Sequence, residues 1–501
     1  MEALQGLAYG FSVFLTPTNL FYCFVGVLMG TVVGVLPGLG PTATISLLLP
    51  TIFHLPVVSS FIMLAGICYG AMYGGSTTSI LVNIPGEVAS LVTCFDGYQM
   101  ARKGRAGPAL GIAAFGSFIA GTFGVIGLML FAPTLANFAL RFGPPEYFSL
   151  AVMSLTLVTY VSRGSFVKGL IMACLGVVVS TVGMDPITSR PRFTFGLREL
   201  LNGFEIIYVA IGLFGMSEVL LNLDQSLKRE TLNTKVRDLF PNRQDWKDSA
   251  KPIARGTVLG FFLGILPGFG GTIPTFVSYA IEKKLSRHPE KFGTGVIEGV
   301  AGPESANNAA ITSTFIPFLS LGIPVNPHTA ILIGALMILG LQPGPLLISS
   351  RPDLFWGVIA SMYIGNAMLL VLNLPLIGLW VQILKIPYSL LYVFIIIFCV
   401  IGSYSVNNSV TDVLLMNIFG LVGYLMKRYE FEAAPLILGL VLGPLFEKSL
   451  RRSLILSDGN PGIFFSRPLS AVFLSIALVS LIYPLFVRER LGKKAIEMEE
   501  D

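Results

Sequence analysis

Long apolar stretches alternate with short polar connections along most of the chain. Residues Ala109 to Phe131, Phe166 to Gly183, Gly203 to Leu223 and Tyr388 to Ser403 are apolar or nearly so. Most approach the ~20 residues that a helix needs to cross a ~30 Å hydrocarbon layer. The pattern predicts an all-α integral membrane protein with about 10–13 transmembrane or re-entrant helical segments. The ~10-residue alternating strands of an outer-membrane barrel are not seen.

A repeat lies within this pattern. Gly26 to Thr42 (GVLMGTVVGVLPGLGPT) and Gly256 to Thr272 (GTVLGFFLGILPGFGGT) agree at eight of 17 positions, at an offset of 230 residues. Chance would supply about one or two matches in a glycine-rich membrane chain. Gly26, Gly30 and Gly34, four apart, suit a helix-packing face. Leu-Pro-Gly-x-Gly does not: proline removes a helix hydrogen bond and glycine tolerates left-handed angles, so the run breaks a helix. Broken backbone at membrane depth persists only where protein or a water-filled cavity satisfies it, and matched breaks in two halves point to a transporter's binding site.

A second small-polar patch follows each break. Tyr69 to Ser79 leads to Asn83-Ile-Pro-Gly86, and Glu298 to Asn308 leads to Gly322-Ile-Pro324. Gly70 and Ser76 align with Gly299 and Ser305 at offset 229. The chain is thus read as a repeat half over 1–223, a charged cytoplasmic connection over 224–255, a second half over 256–487 and a cytoplasmic tail over 488–501.

Charge supplies orientation, because basic residues near helix ends mark the cytoplasmic side. Arg102, Lys103 and Arg105 follow the first repeat, eight Lys/Arg lie between 224 and 255, and Lys283, Lys284, Arg287 and Lys291 follow the second break. A re-entrant hairpin over 256–281 keeps the last two basic loops on one side. The first hairpin has uncharged flanks that suit the outside, so the repeats are expected to be inverted. Arg190, Arg192 and Arg198 conflict with this threading and need another reason to be basic.

Composition agrees: 53% of residues are hydrophobic and 12% charged, with mean hydropathy +0.77. A soluble domain carries roughly 25% charged residues. No Lys or Arg precedes Arg102, so no signal-peptide n-region is expected. Cys23, Cys68, Cys94, Cys174 and Cys399 have no metal or redox spacing and are read as buried inert thiols; His54, His288 and His328 are as scattered. No cofactor motif, metal cluster or nucleic-acid signature is read, and no G-x-x-x-x-G-K-[ST] loop is present.

Glu298 and Glu304 stand in an otherwise apolar or small stretch. A membrane carboxylate costs at least ~2.5–3.5 kcal/mol and normally lines an aqueous path, binds a cation or carries a proton. Ser305, Asn307 and Asn308 add oxygen ligands of the kind a small cation prefers, so these five form the candidate coupling-ion set, for Na⁺ or H⁺. A helix beginning after a membrane break points free N–H groups into the gap and favours a substrate carboxylate there. The candidate substrate residues are therefore Pro37, Gly38, Gly40, Thr42, Thr44, Ser76, Thr77 and Asn83, with Pro267, Gly268, Gly270 and Thr272 in the second half. Ordinary interhelical hydrogen bonding explains Ser76, Thr77 and Asn83 about as well.

Gly34-Val-Leu-Pro-Gly-Leu-Gly-Pro41, Tyr73-Gly-Gly-Ser76, Asn83-Ile-Pro-Gly86 and Asp96 to Gly104 resemble first-half signatures of the large membrane subunit of the tripartite tricarboxylate transporter family. Glu298-Gly-Val-Ala-Gly-Pro-Glu-Ser-Ala-Asn-Asn-Ala-Ala310, Leu321-Gly-Ile-Pro324 and Ala434 to Pro444 continue the similarity over nearly the whole chain. Ile323-Pro-Val-Asn326 departs from it, since a small residue or glycine is expected after the proline. The resemblance implies a bacterial inner-membrane permease, not an enzyme. It implies a small four-helix membrane subunit and a periplasmic solute-binding protein as partners, and ion-coupled carboxylate uptake across the lipid bilayer. A channel and an intramembrane enzyme are the competing readings; for the latter the only candidate pair is Ser305 beside Glu304, which point in different directions on a helix.

Overall fold

The computed structural model describes residues 2–36, 40–159, 165–185, 187–222, 239–384 and 388–497. In chain order its helices are α1 (Glu2–Phe14), α2 (Pro17–Val35), α3 (Pro41–Leu48), α4 (Val57–Val82), α5 (Leu91–Met100), α6 (Ala106–Ala139), α7 (Pro144–Val158) and α8 (Phe166–Ser180). They continue as α9 (Ile206–Ala210), α10 (Ser217–Asn222), α11 (Arg243–Gly264), α12 (Thr272–Leu285), α13 (Glu298–Ser313), α14 (Phe315–Leu321), α15 (Pro327–Ile338) and α16 (Leu347–Ser350). The last are α17 (Pro352–Asn373), α18 (Ile377–Ile383), α19 (Tyr388–Asn407), α20 (Val410–Arg428), α21 (Ala433–Leu456), α22 (Ile463–Ser466) and α23 (Pro468–Glu497). Among the described residues the only sheet is a two-stranded antiparallel ladder, β1 (Gly183–Met184) with β2 (Pro191–Arg192).

The expectation of an all-α membrane protein is met. Among the described residues, six helical segments are long and apolar enough to cross a bilayer: 17–35, 57–82, 88–139, 352–373, 410–428 and 433–456, with shorter apolar helices beside them. Large apolar side chains such as Phe123, Phe131, Phe262 and Phe398 are exposed, as lipid contact requires. Four cysteines are buried as expected, whereas Cys174 is exposed on α8, a face with exposed Ile171, Leu175 and Val178.

The chain divides into two compact units, 1–140 with 206–425, and 141–205 with 426–501. In the first, glycine decides the packing. A Cβ at Gly26, Gly30 or Gly34 of α2 would collide with the backbone of α4 at Met63, Ile67 or Ala71. A Cβ at Gly256, Gly260 or Gly264 of α11 would likewise meet α13 at Gly302, Ala306 or Ala310. Both pairs therefore lock backbone to backbone through small residues four apart.

The second Pro-Gly run forms the tip of a helical hairpin. α11 stops at Gly264, Gly268 and Gly270 adopt φ +86° and +50°, and α12 restarts at Thr272. Arg255 on one arm forks onto Glu282 on the other, Nε to Oε1 at 2.8 Å. These residues lie nine and ten residues from the tip ends of their helices, about 14–15 Å at 1.5 Å per residue. That is about half the ~30 Å hydrocarbon thickness. The basic connections also share one end of this unit: Arg105 pairs with Asp245, and Lys103 donates to the Thr294 carbonyl at 2.5 Å.

In the second unit, a Cβ at Gly439 of α21 would collide with α8 at Ala173. Here Arg192 of the basic loop finds its partners. Arg192 forks onto Glu447 at 2.6 and 3.1 Å, and Arg451 reaches both Asp185 (2.7 Å) and Glu447 (3.0 Å). The Asp185 carboxyl is held well below its ordinary range by the Thr188 and Ile187 N–H groups and by Arg451. Arg192 is thus a staple that ties the β1–β2 ladder to α21.

Candidate functional site

Glu304 lies mid-helix on α13, 1% exposed. Both carboxylate oxygens accept hydroxyl bonds, one from Ser76 on α4 at 2.5 Å and the other from Thr93 on α5. Among the described residues no Lys or Arg pairs with it. Hydrogen bonds to a charged group contribute about 1.5–3 kcal/mol each. Two hydroxyls hold the carboxyl group in place, and the described residues offer it no positive partner.

The neighbours of Glu304 diverge. Asn307 donates to Glu87 Oε1 at 3.1 Å, while its Oδ1 is buried without a partner. Asn308 donates to Ser117 on α6 at 2.7 Å and to the Glu304 carbonyl at 3.1 Å. Ser305 Oγ is buried, unpartnered and turned toward Gly116 of α6, away from the Glu304 carboxylate. Glu298 is the first residue of α13 and half-buried, away from the Glu304 cluster. Thr77 lines a cavity with room for about one water, beside Tyr73, Ser117 and Asn373.

Helices restart where the sequence placed them. α3 begins at Pro41 after extended Gly40, Thr42 and Thr44 sit in its first turn, and Thr272 opens α12. Pro37 and Gly38 lie outside the described residues. Pro267 and Gly268 belong to the hairpin tip, where the Gly268 N–H donates to the Val325 carbonyl at 2.9 Å. Gly270 lies against Asn326. Asn83 is not beside Glu304: it is the exposed left-handed cap of α4, φ 60°.

The packing changes the register of the repeat. Met63, Ile67 and Ala71 occupy the places of Gly302, Ala306 and Ala310, a constant offset of 239 rather than 229. At 239, Asn83-Ile-Pro85 matches Gly322-Ile-Pro324, and both first residues are left-handed helix caps, φ 60° and 69°. Glu87 then matches Asn326 and Ser90 matches Thr329, and each pair forms a capping box at a helix start. The 229 alignment matched letters across a segment nine residues longer in the second half, so it failed where helices, not letters, set the register.

This shift hid Glu87. Its Oε2 accepts the Ala89 N–H at 2.9 Å, and its amide neighbour Asn307 comes from the Glu304 helix. Aligning the two Ile-Pro pairs would have found it. Asp96 is a second such residue: fully buried, it accepts the N–H groups of Gly293 (3.0 Å), Gly295 (2.7 Å) and Val296 (2.9 Å), and the Tyr279 hydroxyl (2.9 Å). It clasps the loop that launches α13.

A helical membrane protein whose glycine-locked helix pairs flank broken backbone and a buried carboxyl group without a described basic partner has the build of a transporter. The profile of the Tripartite tricarboxylate transporter TctA family matches residues 20–438, and the chain belongs to that family. Over all 501 residues, covering both chains fully, it is 50% identical to an Agrobacterium vitis protein described as "Uncharacterized 52.8 kDa protein in TAR-I ttuC' 3'region". A second protein of that organism, "Uncharacterized protein in TAR-II ttuC' 3'region", is 50% identical over 242 residues, 48% of this chain and 100% of its own length. No solved structure matches.

Proposed function

We propose that this chain is the permease subunit of a binding-protein-dependent secondary transporter that imports carboxylates across the bacterial inner membrane, driven by a cation gradient. The observation that carries this reading is Glu304: a buried carboxylate held by Ser76 and Thr93 without a basic partner. Such a group changes its energy steeply with occupancy by Na⁺ or H⁺, which is what coupling requires. The chain has no nucleotide-binding loop to supply another drive. The helix starts at Pro41 and Thr272 present N–H groups to an anion. A small four-helix membrane subunit and a periplasmic solute-binding protein complete the assembly, and the two Pro-Gly hairpins are inverted repeats.

Glu304→Gln tests the reading. It keeps the size of the side chain and removes its charge. In proteoliposomes holding the full assembly, with Na⁺ and pH gradients varied independently, it should abolish concentrative uptake while folding and docking of the binding protein persist. Undiminished gradient-driven accumulation by the variant overturns the coupling role.

A further inference from the structure

We propose that a cavity between α4, α6 and α17 holds a buried water, and that Ser76 passes protons between this water and Glu304. The proposal rests on the coupled-transport reading and deepens it, because it makes H⁺ the ion that Glu304 takes up. The cavity has room for about one water. A water stays in such a space only where it finds two to four polar partners. The lining supplies them. Asn373, at the end of α17 and 5% exposed, gives its amide N–H to the Leu369 carbonyl at 2.9 Å, and its Oδ1 is buried without a partner. Thr77, 3% exposed, lines the same space, and among the described residues its hydroxyl has no partner. Ser117 Oγ accepts from Asn308 at 2.7 Å and has its own hydrogen left to donate. A water among them accepts from Ser117 and Thr77 and donates to Asn373 Oδ1, which leaves one hydrogen for Ser76.

Glu304 is 1% exposed, so a proton must reach it through a neighbour. Ser76 lines the cavity, and its hydroxyl donates to Glu304 Oε2 at 2.5 Å. Thr93 serves the other carboxylate oxygen but is not in the cavity wall. The two hydroxyls hold Glu304 alike, yet only one joins it to water. That asymmetry carries the proposal.

The transfer balances. A hydronium ion at the water position gives a proton to Ser76 Oγ as Ser76 gives its hydroxyl hydrogen to Glu304 Oε2. One O–H bond breaks on each donor and one forms on each acceptor, leaving water, an unchanged serine and a neutral carboxylic acid. Release runs the same steps in reverse. The cavity is partly open, so its water can exchange.

The test is hydrogen–deuterium exchange at the Glu304 carboxyl, followed by infrared difference spectroscopy of the detergent-purified permease. The C=O stretch of the protonated acid is assigned by its loss in Glu304→Gln, and its shift after mixing with D₂O gives the exchange rate. Ser76→Ala should slow exchange about a hundredfold, the low end of what a positioned proton-transfer group supplies. Ser76→Thr keeps a hydroxyl and should restore the rate. Thr93→Ala removes an equivalent bond and should leave the rate near wild type, which a merely structural role for Ser76 does not explain. Asn373→Leu and Thr77→Val, each close in size to the residue replaced, take polar partners from the water and should slow exchange as well. The proposal is overturned if no protonated band appears from mildly acid to mildly alkaline pH, if Ser76→Ala exchanges like wild type, if Thr93→Ala slows exchange equally, or if neither cavity variant has any effect. Uptake under Na⁺ and pH gradients is a separate measurement: uptake that follows Na⁺ alone, and is lost in Glu304→Gln, leaves the coupling reading intact and removes this one.

Discussion

Asp96 offers the clearest single perturbation. Its carboxylate is fully buried and accepts three backbone N–H groups and one phenol, all from the 279–296 segment. Asp96→Ala strands the N–H groups of Gly293, Gly295 and Val296, and each orphaned buried donor costs about 1–3 kcal/mol. Some relax toward water, so a loss of about 3–6 kcal/mol is expected. Asp96→Asn can keep its carbonyl on Gly295 and Val296 and let the Tyr279 hydroxyl turn to accept. It loses mainly charge assistance, which roughly doubles a hydrogen bond, for about 1–3 kcal/mol. Tyr279→Phe removes one bond, about 1 kcal/mol. The order Ala, then Asn, then Phe should appear in equilibrium unfolding in mixed micelles. Trypsin cleavage at exposed Lys291, inside the clasped loop, should rise in the same order because it reports the locally open fraction. Asp96→Ala with wild-type stability and unchanged cleavage at Lys291 would falsify the clasp.

Two further outcomes follow from the packing. Gly260→Leu drives a branched side chain into the α13 backbone at Ala306; overpacking of this kind costs about 1–3 kcal/mol, and in quantitative immunoblots of membranes the variant should be depleted, whereas Val258→Leu on the exposed face of α11 should not be. Lys247 and Lys283 flank a hairpin whose arms meet at Arg255 and Glu282, so single cysteines at both positions should resist a membrane-impermeant maleimide in intact cells and react after permeabilisation. Labelling of either from outside refutes the same-side hairpin.

Apolar run length and the twin Pro-Gly breaks determined, without coordinates, that this chain is a helical membrane protein. They also placed helix starts near Thr42 and at Thr272, where α3 opens at Pro41 and α12 at Thr272, because the cost of bare backbone in hydrocarbon leaves few alternatives. The glycines at 26, 30 and 34 were legible as a packing face for the same local reason, and the structure extends that role to 256, 260 and 264. Glu304 stood out by its rarity. Its partners did not, since Ser76 and Thr93 are 228 and 211 residues away in the chain and common in any membrane helix. Only the tertiary structure could set the repeat register at 239, because the second helix of each pair is indexed by which backbone its glycine partners touch. That register brought Glu87 into view; tertiary packing also sent Asn307 and Asn308 to different neighbours and, in the other unit, gave Arg192 to Glu447. Sequence fixes what a residue can bond with, but which of many equivalent hydroxyls and carboxylates it meets depends on helix contacts formed across the chain.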